Sequence, residues 1–363
     1  MHVALVTKYL GHPVGLGTYA ERLLEALADS APEARFKVYV PYRPARSEWP
    51  SNVSFHIVEV PPRRAAIAAW ELLLAPAAAA RARVDLIHYL YSGGPLLPSS
   101  RPTIASLLDA IEWTQPAYRR PPLERVLVRR QLSWAEHVVT ASPSSKHEIH
   151  RLLGIPREKI VVTPLGAPPL EARAAAASRP YWLFLGGTEV RKNLRLVFEA
   201  LARDGLGEAR LKVVGASRSG PRHESRSELM ALLRPAEREK IDWLGKVESA
   251  ALTQLYSEAI GIIYPSIAEG FGLPLLEAMA RLTPVIAADI PPVAELAGRA
   301  AMLVPPGDPA ALRAAMRRLE SDGPLRERLV ERGLEVVRSH SWRTTAALTL
   351  GAYRDALRAA SSA

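Results

Sequence analysis

Short apolar runs alternate along this chain with longer stretches whose apolar residues recur at helical spacing. Runs at 2–7, 36–40, 53–60, 84–89, 102–108, 137–142 and 160–163 read as strands of a first half. Runs at 181–185, 211–214, 259–264 and 284–288, with another ending at Val304, read as strands of a second. Tyr19, Leu23, Leu24 and Leu27 fall on one helix face, which predicts a helix from Gly15 to about Ala28. Residues 63–82 are rich in Ala and read as a helix that Pro76 kinks or divides. The serines at 142–145 predict a cap for a helix beginning near Lys146, and Asp308 one for a helix over 309–319. Strands alternating with helices predict an α/β protein: two Rossmann-like domains, each a parallel sheet with helices on both faces. Residues 167–179 are rich in Ala and Pro without a strong pattern and read as a linker. The domains are then 1–166 and 180–340, followed by a terminal helix over 341–363.

A length of 363 residues fits two domains. There is no cysteine, which excludes disulfides, thiolate metal sites and a Cys nucleophile. No apolar run reaches the ~18–20 residues of a membrane span, and residues 1–6 form a strand and not a signal peptide, so a cytoplasmic location is expected. The net charge of +10 suits a phosphate-bearing substrate, an acidic acceptor or an anionic bilayer. No helix-turn-helix or RNA-binding signature accompanies it, so no nucleic-acid partner is expected. Arg63, Arg64, Arg81 and Arg83, and the basic stretch 119–130, could meet an anionic membrane surface, although a helix face in solvent or against the sheet explains them as well.

The stretch 264–279 carries the strongest chemical signal. An apolar strand runs into a Gly-containing turn and then a helix whose first turn is 273–276, with Pro274 tolerated there. Free amides and the positive end of the helix dipole make such a turn an anion site. Glu269 and Glu277 flank it, which suggests a ligand with an anionic middle and hydroxyl-rich ends, as in a nucleotide sugar. A second turn, 186–194, brings Gly187, Arg191, Lys192 and Asn193 to a helix start, where Arg grips a diphosphate with two prongs and Lys adds a compact charge. Gly15-Leu16-Gly17-Thr18-Tyr19-Ala20 invites a dinucleotide reading, but the loop from Lys8 to Gly15 separates the first Gly from the strand end, so that reading is set aside.

Glu269 and Glu277, with Gly270-Phe271-Gly272 between them, resemble the E-x7-E signature of retaining glycosyltransferases of the GT-B fold, most closely glycosyltransferase family 4. Arg191-Lys192-Asn193 resembles the family's R-K-N form, and 241–247 its segment beside the nucleotide base, where Lys246 is the side chain singled out. Gly15 and Gly17 match the glycine-rich loop that lets backbone approach the donor diphosphate and the acceptor. The resemblance implies two domains facing across a cleft, acceptor in the first and donor in the second, and a terminal helix crossing back to the first, with Trp342 as its anchor. It implies a retaining, metal-independent hexosyltransferase of polysaccharide biosynthesis using GDP-mannose or another nucleotide-diphosphate hexose. The acceptor is a glycan, a lipid-linked glycan or a small molecule, and no cofactor is needed. By resemblance Glu269 contacts the sugar near its reacting carbon and Glu277 accepts from ribose hydroxyls. The amides of Phe271, Gly272 and Leu273 face sugar and phosphates, and Lys192 and Arg191 bind the phosphates. No D-x-D pair lies near this site to hold a metal.

The chain departs from the family in two places. Many members carry an Arg where Gly187 stands. In many, a His-Asp pair ends the fifth strand, with a Pro seven residues after the Asp; Asp109 and Pro116 keep that spacing, but Leu108 replaces the His. Leucine offers no hydrogen bond, so either a neighbour such as Glu112 compensates or activity is altered or absent. The alternative reading is therefore a catalytically impaired nucleotide-sugar-binding or scaffold protein of the same fold.

Overall fold

Every apolar run named above forms a strand, and both sheets are parallel throughout. The computed structural model describes residues 1–11, 15–44, 46, 48–91, 93–94, 97–171 and 179–362. Residues 12–14 of the first loop and 172–178 of the expected linker lie outside the described residues. The first stretch of chain runs β1 (His2–Val6), α1 (Leu16–Ser30), β2 (Arg35–Val40), β3 (Val53–Ile57), α2 (Arg64–Ala69), α3 (Ala75–Arg81), β4 (Leu86–Tyr89), β5 (Thr103–Ser106), α4 (Ile111–Thr114), α5 (Pro122–Trp134), β6 (His137–Thr140), α6 (Pro143–Leu153) and β7 (Ile160–Val162). Then follow β8 (Tyr181–Leu185), α7 (Leu194–Asp204), β9 (Arg210–Val214), α8 (Arg226–Ala231), α9 (Pro235–Arg238), β10 (Ile241–Gly245), α10 (Ser249–Glu258), β11 (Gly261–Tyr264), α11 (Leu273–Met279), β12 (Val285–Ala288), α12 (Pro291–Ala297), β13 (Met302–Val304), α13 (Pro309–Ser321), α14 (Gly323–Ser339) and α15 (Trp342–Ser362).

The chain divides into two compact units. One comprises Met1–Trp113, Arg120–Gly166 and Ser341–Ala363, the other Thr114–Arg119 and Ala167–His340. The first holds a seven-stranded sheet in the order β3-β2-β1-β4-β5-β6-β7, the second a six-stranded sheet in the order β10-β9-β8-β11-β12-β13. In both, the order reverses between two central strands, β1 and β4 in one and β8 and β11 in the other. At such a switch point the loops leaving the two strands diverge to opposite faces and open a crevice at the carboxyl ends.

The central strands are buried on both faces, which explains why they read as apolar runs. In the second unit Trp182, Phe184, Val197, Phe198, Leu201, Leu211, Ile263 and Ile286 share one core. In the first, a buried polar chain crosses the apolar interior. Tyr19 Oη lies 2.8 Å from Ser106 Oγ, which lies 2.8 Å from His88 Nε2, and His88 Nδ1 lies 2.8 Å from Tyr353 Oη of α15. Burial drives the His88 imidazole down to about 3, so it is neutral and serves as a fastening, not an acid or base.

Two helix expectations need correction. The cap at 142–145 is Ser142 alone: it accepts from Ser145 N, and α6 begins at Pro143, ahead of Lys146, because Pro is at ease in a first turn. The stretch 63–82 is divided, but before the proline: Trp70–Leu74 form a π-helical turn between α2 and α3. Pro76 would clash with a carbonyl one α-helical turn back, and the wider turn relieves this as Pro76 enters the first turn of α3.

Candidate active site

The site in the second unit grows from the carboxyl ends of β8 and β11, the two strands at its switch point. After β8 the chain turns through Gly186 and Gly187, makes a 3-10 turn at Val190–Lys192, and enters α7 at Asn193, which sits in the left-handed region at φ 58°. After β11 the chain passes through Glu269 and Gly270 and turns at Gly272, φ 111°, into α11. The two loops are stitched together: Ile267 N donates to Arg191 O at 3.0 Å, and Asn193 Nδ2 to Pro265 O at 3.2 Å.

This stitching brings three charges to one point. Lys192 Nζ lies 2.7 Å and Arg191 Nη1 2.8 Å from the same oxygen, Oε1 of Glu269. The Glu269 side chain is 9% exposed, so the cluster is largely out of water. Burial alone would raise the Glu269 pKa, but the charges of Lys192 and Arg191 outweigh it and hold the carboxyl down to about 2. Burial pulls the Lys192 ammonium below its ordinary value, and although Glu269 opposes this, Arg191 on the same carboxylate adds repulsion. Two cations thus share one buried carboxylate oxygen.

Neighbouring groups hold the cations in position. Arg191 Nε lies 3.3 Å from Glu189 Oε1, which also accepts from Tyr118 Oη at 2.7 Å. Lys192 Nζ donates to Tyr264 Oη at 3.2 Å and lies over that ring, 4.7 Å from its centroid. Its stem packs where Gly186 has no side chain; a Cβ there would sit 2.3 Å from Lys192 Cγ. Gly187, at φ 57°, lies against the turn after β9, and a Cβ on it would meet Ala216 O at 2.3 Å. An arginine at that position would be strained, which is a physical reason for one of the two departures.

The other candidate residues are distributed as follows. Phe271 is buried, with its ring 5.8 Å from that of His340. Gly270, Gly272 and Leu273 lead into α11, and Glu277 follows on that helix, half-buried. Lys246 is exposed beyond β10 and lies outside the Arg191–Lys192–Glu269 cluster. Gly15, Gly17 and Asp109 belong to the first unit. Gly15 takes φ 62° ahead of α1, and Tyr19 N donates to its carbonyl at 3.0 Å. Gly17 is buried in the first turn of α1. Asp109 Oδ1 accepts from Ile111 N at 3.0 Å at the start of α4. Leu108 is half-buried and its carbonyl accepts from Thr140 Oγ1 at 3.2 Å.

Residues 170–336 match the family Glycosyl transferases group 1, and residues 14–169 match Glycosyltransferase Family 4. The chain belongs to glycosyltransferase family 4. The O-antigen chain mannosyltransferase B of Escherichia coli is 27% identical over 383 residues, covering 98% of this chain and 100% of that protein. Among solved structures, sucrose-phosphate synthase from Thermosynechococcus elongatus superposes with a TM-score of 0.76 at 21% identity, covering 99% of each chain. Anabaena HepE in complex with UDP-glucose superposes at 0.72 and 16% identity, covering 97% of this chain and 99% of that one. The fold is the GT-B fold of two Rossmann-like domains. Family membership makes the protein a glycosyltransferase.

Glu189, Tyr118 and Tyr264 were not singled out from the sequence. Glu189 could have been, since an acid two residues before an Arg in a tight turn is placed to brace it. Tyr118 meets Glu189 only through the fold.

Proposed function

We propose that this glycosyltransferase retains configuration at the transferred carbon and takes a hexose from a nucleoside diphosphate donor, GDP-mannose first among the candidates. The convergence of Lys192 and Arg191 on one oxygen of Glu269 carries the proposal: it holds two preorganised cationic side chains beside a carboxylate at the switch point of the second sheet. The likeness to a mannosyltransferase over nearly the whole chain supports mannose, and that to a UDP-glucose complex supports a nucleotide sugar.

In this reading the second unit takes the donor and the first the acceptor, a glycan or lipid-linked glycan of a polysaccharide pathway. The bond from the sugar carbon to the diphosphate breaks with its electron pair leaving on phosphate oxygen. The acceptor hydroxyl bonds to that carbon on the same face, and its proton leaves with the phosphate. Lys192, Arg191 and the amides of Phe271, Gly272 and Leu273 stabilise the charge that develops on the diphosphate, a contribution that reaches several kcal/mol in buried sites. These protein cations take the part a metal plays elsewhere, which makes the reaction metal-independent. Glu269 lies against the sugar, Glu277 against the ribose, and Lys246 beside the base. Asp109, Gly15 and Gly17 keep the parts the family assigns them.

The assay is release of nucleoside diphosphate from GDP-mannose, UDP-glucose and related donors, with and without a polyprenyl-linked or oligosaccharide acceptor, in the presence of excess chelator. Release dependent on Lys192 and Glu269 and unaffected by chelator is expected; no release from any donor contradicts the transferase reading. Leu108 favours a second reading: a protein of this family that binds nucleotide sugar without transferring it, which would show as donor binding in a calorimetric titration with no release in this assay.

Membrane attachment belongs to the proposal as well. On α5, Leu123 is 81% and Val126 65% exposed, and Arg129 and Arg130 are exposed beside them. Exposed apolar side chains amid arginines suit an anionic lipid surface on the cytoplasmic side. Among the described residues no helix is long and apolar enough to cross a membrane.

A further inference from the structure

We propose that Tyr256 is a positioning residue that holds the Glu277 carboxylate for the vicinal hydroxyls of the donor ribose, so that the site selects ribonucleotide over 2′-deoxyribonucleotide donors. The proposal rests on the donor-site reading above and adds a residue and a selectivity to it. Tyr256, near the end of α10, donates from its hydroxyl to Glu277 Oε2 at 2.8 Å. Glu277 stands one turn after Leu273 on α11, about 6 Å along the axis and on the same face. That offset is close to the separation between a bound diphosphate and the ribose diol attached to it.

The tyrosine is built to hold still. It is 1% exposed. Its carbonyl accepts from Thr283 Oγ1 at 2.7 Å, and the Arg281 guanidinium lies 5.5 Å from its ring centroid. Arg281 is itself fixed by Glu277 O at 3.0 Å, Thr253 Oγ1 at 2.9 Å and Glu171 Oε1 at 3.2 Å. Burial pushes the Tyr256 phenol well above its ordinary value, so it stays a neutral donor. This contrasts with Glu269, whose carboxylate is met by two cations. A neutral donor on Oε2 fixes the rotamer of Glu277 without cancelling its charge, and Oε1 remains to accept from hydroxyls. A carboxylate held in this way discriminates by what it loses: an analogue lacking the hydroxyl leaves its lone pairs unmatched.

The test is calorimetric titration of the full chain with GDP and UDP, each beside its 2′-deoxy form, using wild type, Tyr256→Phe, Glu277→Gln and the double variant. Wild type should prefer the ribose form about tenfold, the scale of one hydrogen bond to a charged group. Tyr256→Phe should cut that preference to about threefold or less while leaving affinity for the deoxy form within about twofold, and the double variant should match Glu277→Gln. Equal weakening of both forms by Tyr256→Phe would mean a merely structural role and overturn the proposal. Preference lost in Glu277→Gln but kept in Tyr256→Phe would overturn it while leaving the ribose role of Glu277 intact. Preference kept in both variants, or absent from wild type, would remove that role too. Should Tyr256→Phe not fold, Glu277→Asp keeps the charge but withdraws the carboxylate from the tyrosine, and carries the same expectation.

Discussion

Lys192 is placed where its loss is felt by both partners it touches. Lys192→Ala removes a buried ammonium from Glu269 and a cation from the proposed phosphate site. We expect it to weaken nucleoside diphosphate binding by tenfold or more in titration, since hydrogen bonds to charged groups contribute ~1.5–3 kcal/mol. Glu269 gives a pH signature. Its carboxyl is held at about 2 in the folded chain against an ordinary 4.5, so its stabilisation is fully present above 4.5 and is lost as pH falls from there towards 2. Denaturant titrations of wild type and Glu269→Gln should therefore differ most above pH 5 and converge towards pH 2; a constant difference would show that Glu269 is not held ionised by its cations. Glu269, Lys192 and Arg191 were legible in the sequence because each lies in a short turn with its own spacing signal. Tyr256 and Tyr118 were not, because a buried tyrosine meeting a distant acid leaves no local pattern.

At the scale of elements, the glycine turn after β8 shapes the site as much as its charges do. Gly186 holds φ 137° with the Lys192 stem packed against it. Gly186→Ala should lower the melting temperature by several degrees and weaken nucleotide binding, because the new methyl must displace that stem; unchanged nucleotide affinity would argue that the position of Lys192 is not set by this turn. α15 is fastened to the first sheet through His88 and Tyr353. The His88 pKa falls from 6.5 to about 3 on folding, so stability is complete above 6.5 and is lost as pH falls towards 3. His88→Gln should flatten stability between pH 6.5 and 4, as read by thermal melts. The central strands were legible because strands buried on both faces must be continuously apolar; the edge strand β10 was not, because Asp242 and Gly245 interrupt its apolar residues. Helix boundaries were less so: the π-helical turn at Trp70–Leu74 and the start of α6 depend on how a proline is accommodated, which composition does not encode.

For the whole molecule, the sequence carried the two parallel sheets and the family, because strand alternation and the E-x7-E turn are each local. It did not carry the assignment of Thr114–Arg119 to the second unit, which depends on tertiary contacts of a short segment. The central claim is that the second unit binds a nucleoside diphosphate at Lys192, Arg191 and Glu269. The most direct test is a thermal-shift titration of wild type and Lys192→Ala with GDP, UDP and ADP. A ligand at ~100 times its dissociation constant adds ~2.7 kcal/mol to folding stability. We predict a rise in melting temperature corresponding to that stabilisation for one nucleotide on wild type and its loss in a folded Lys192→Ala variant. No rise with any nucleotide on folded wild type, or an equal rise in the variant, would contradict the account.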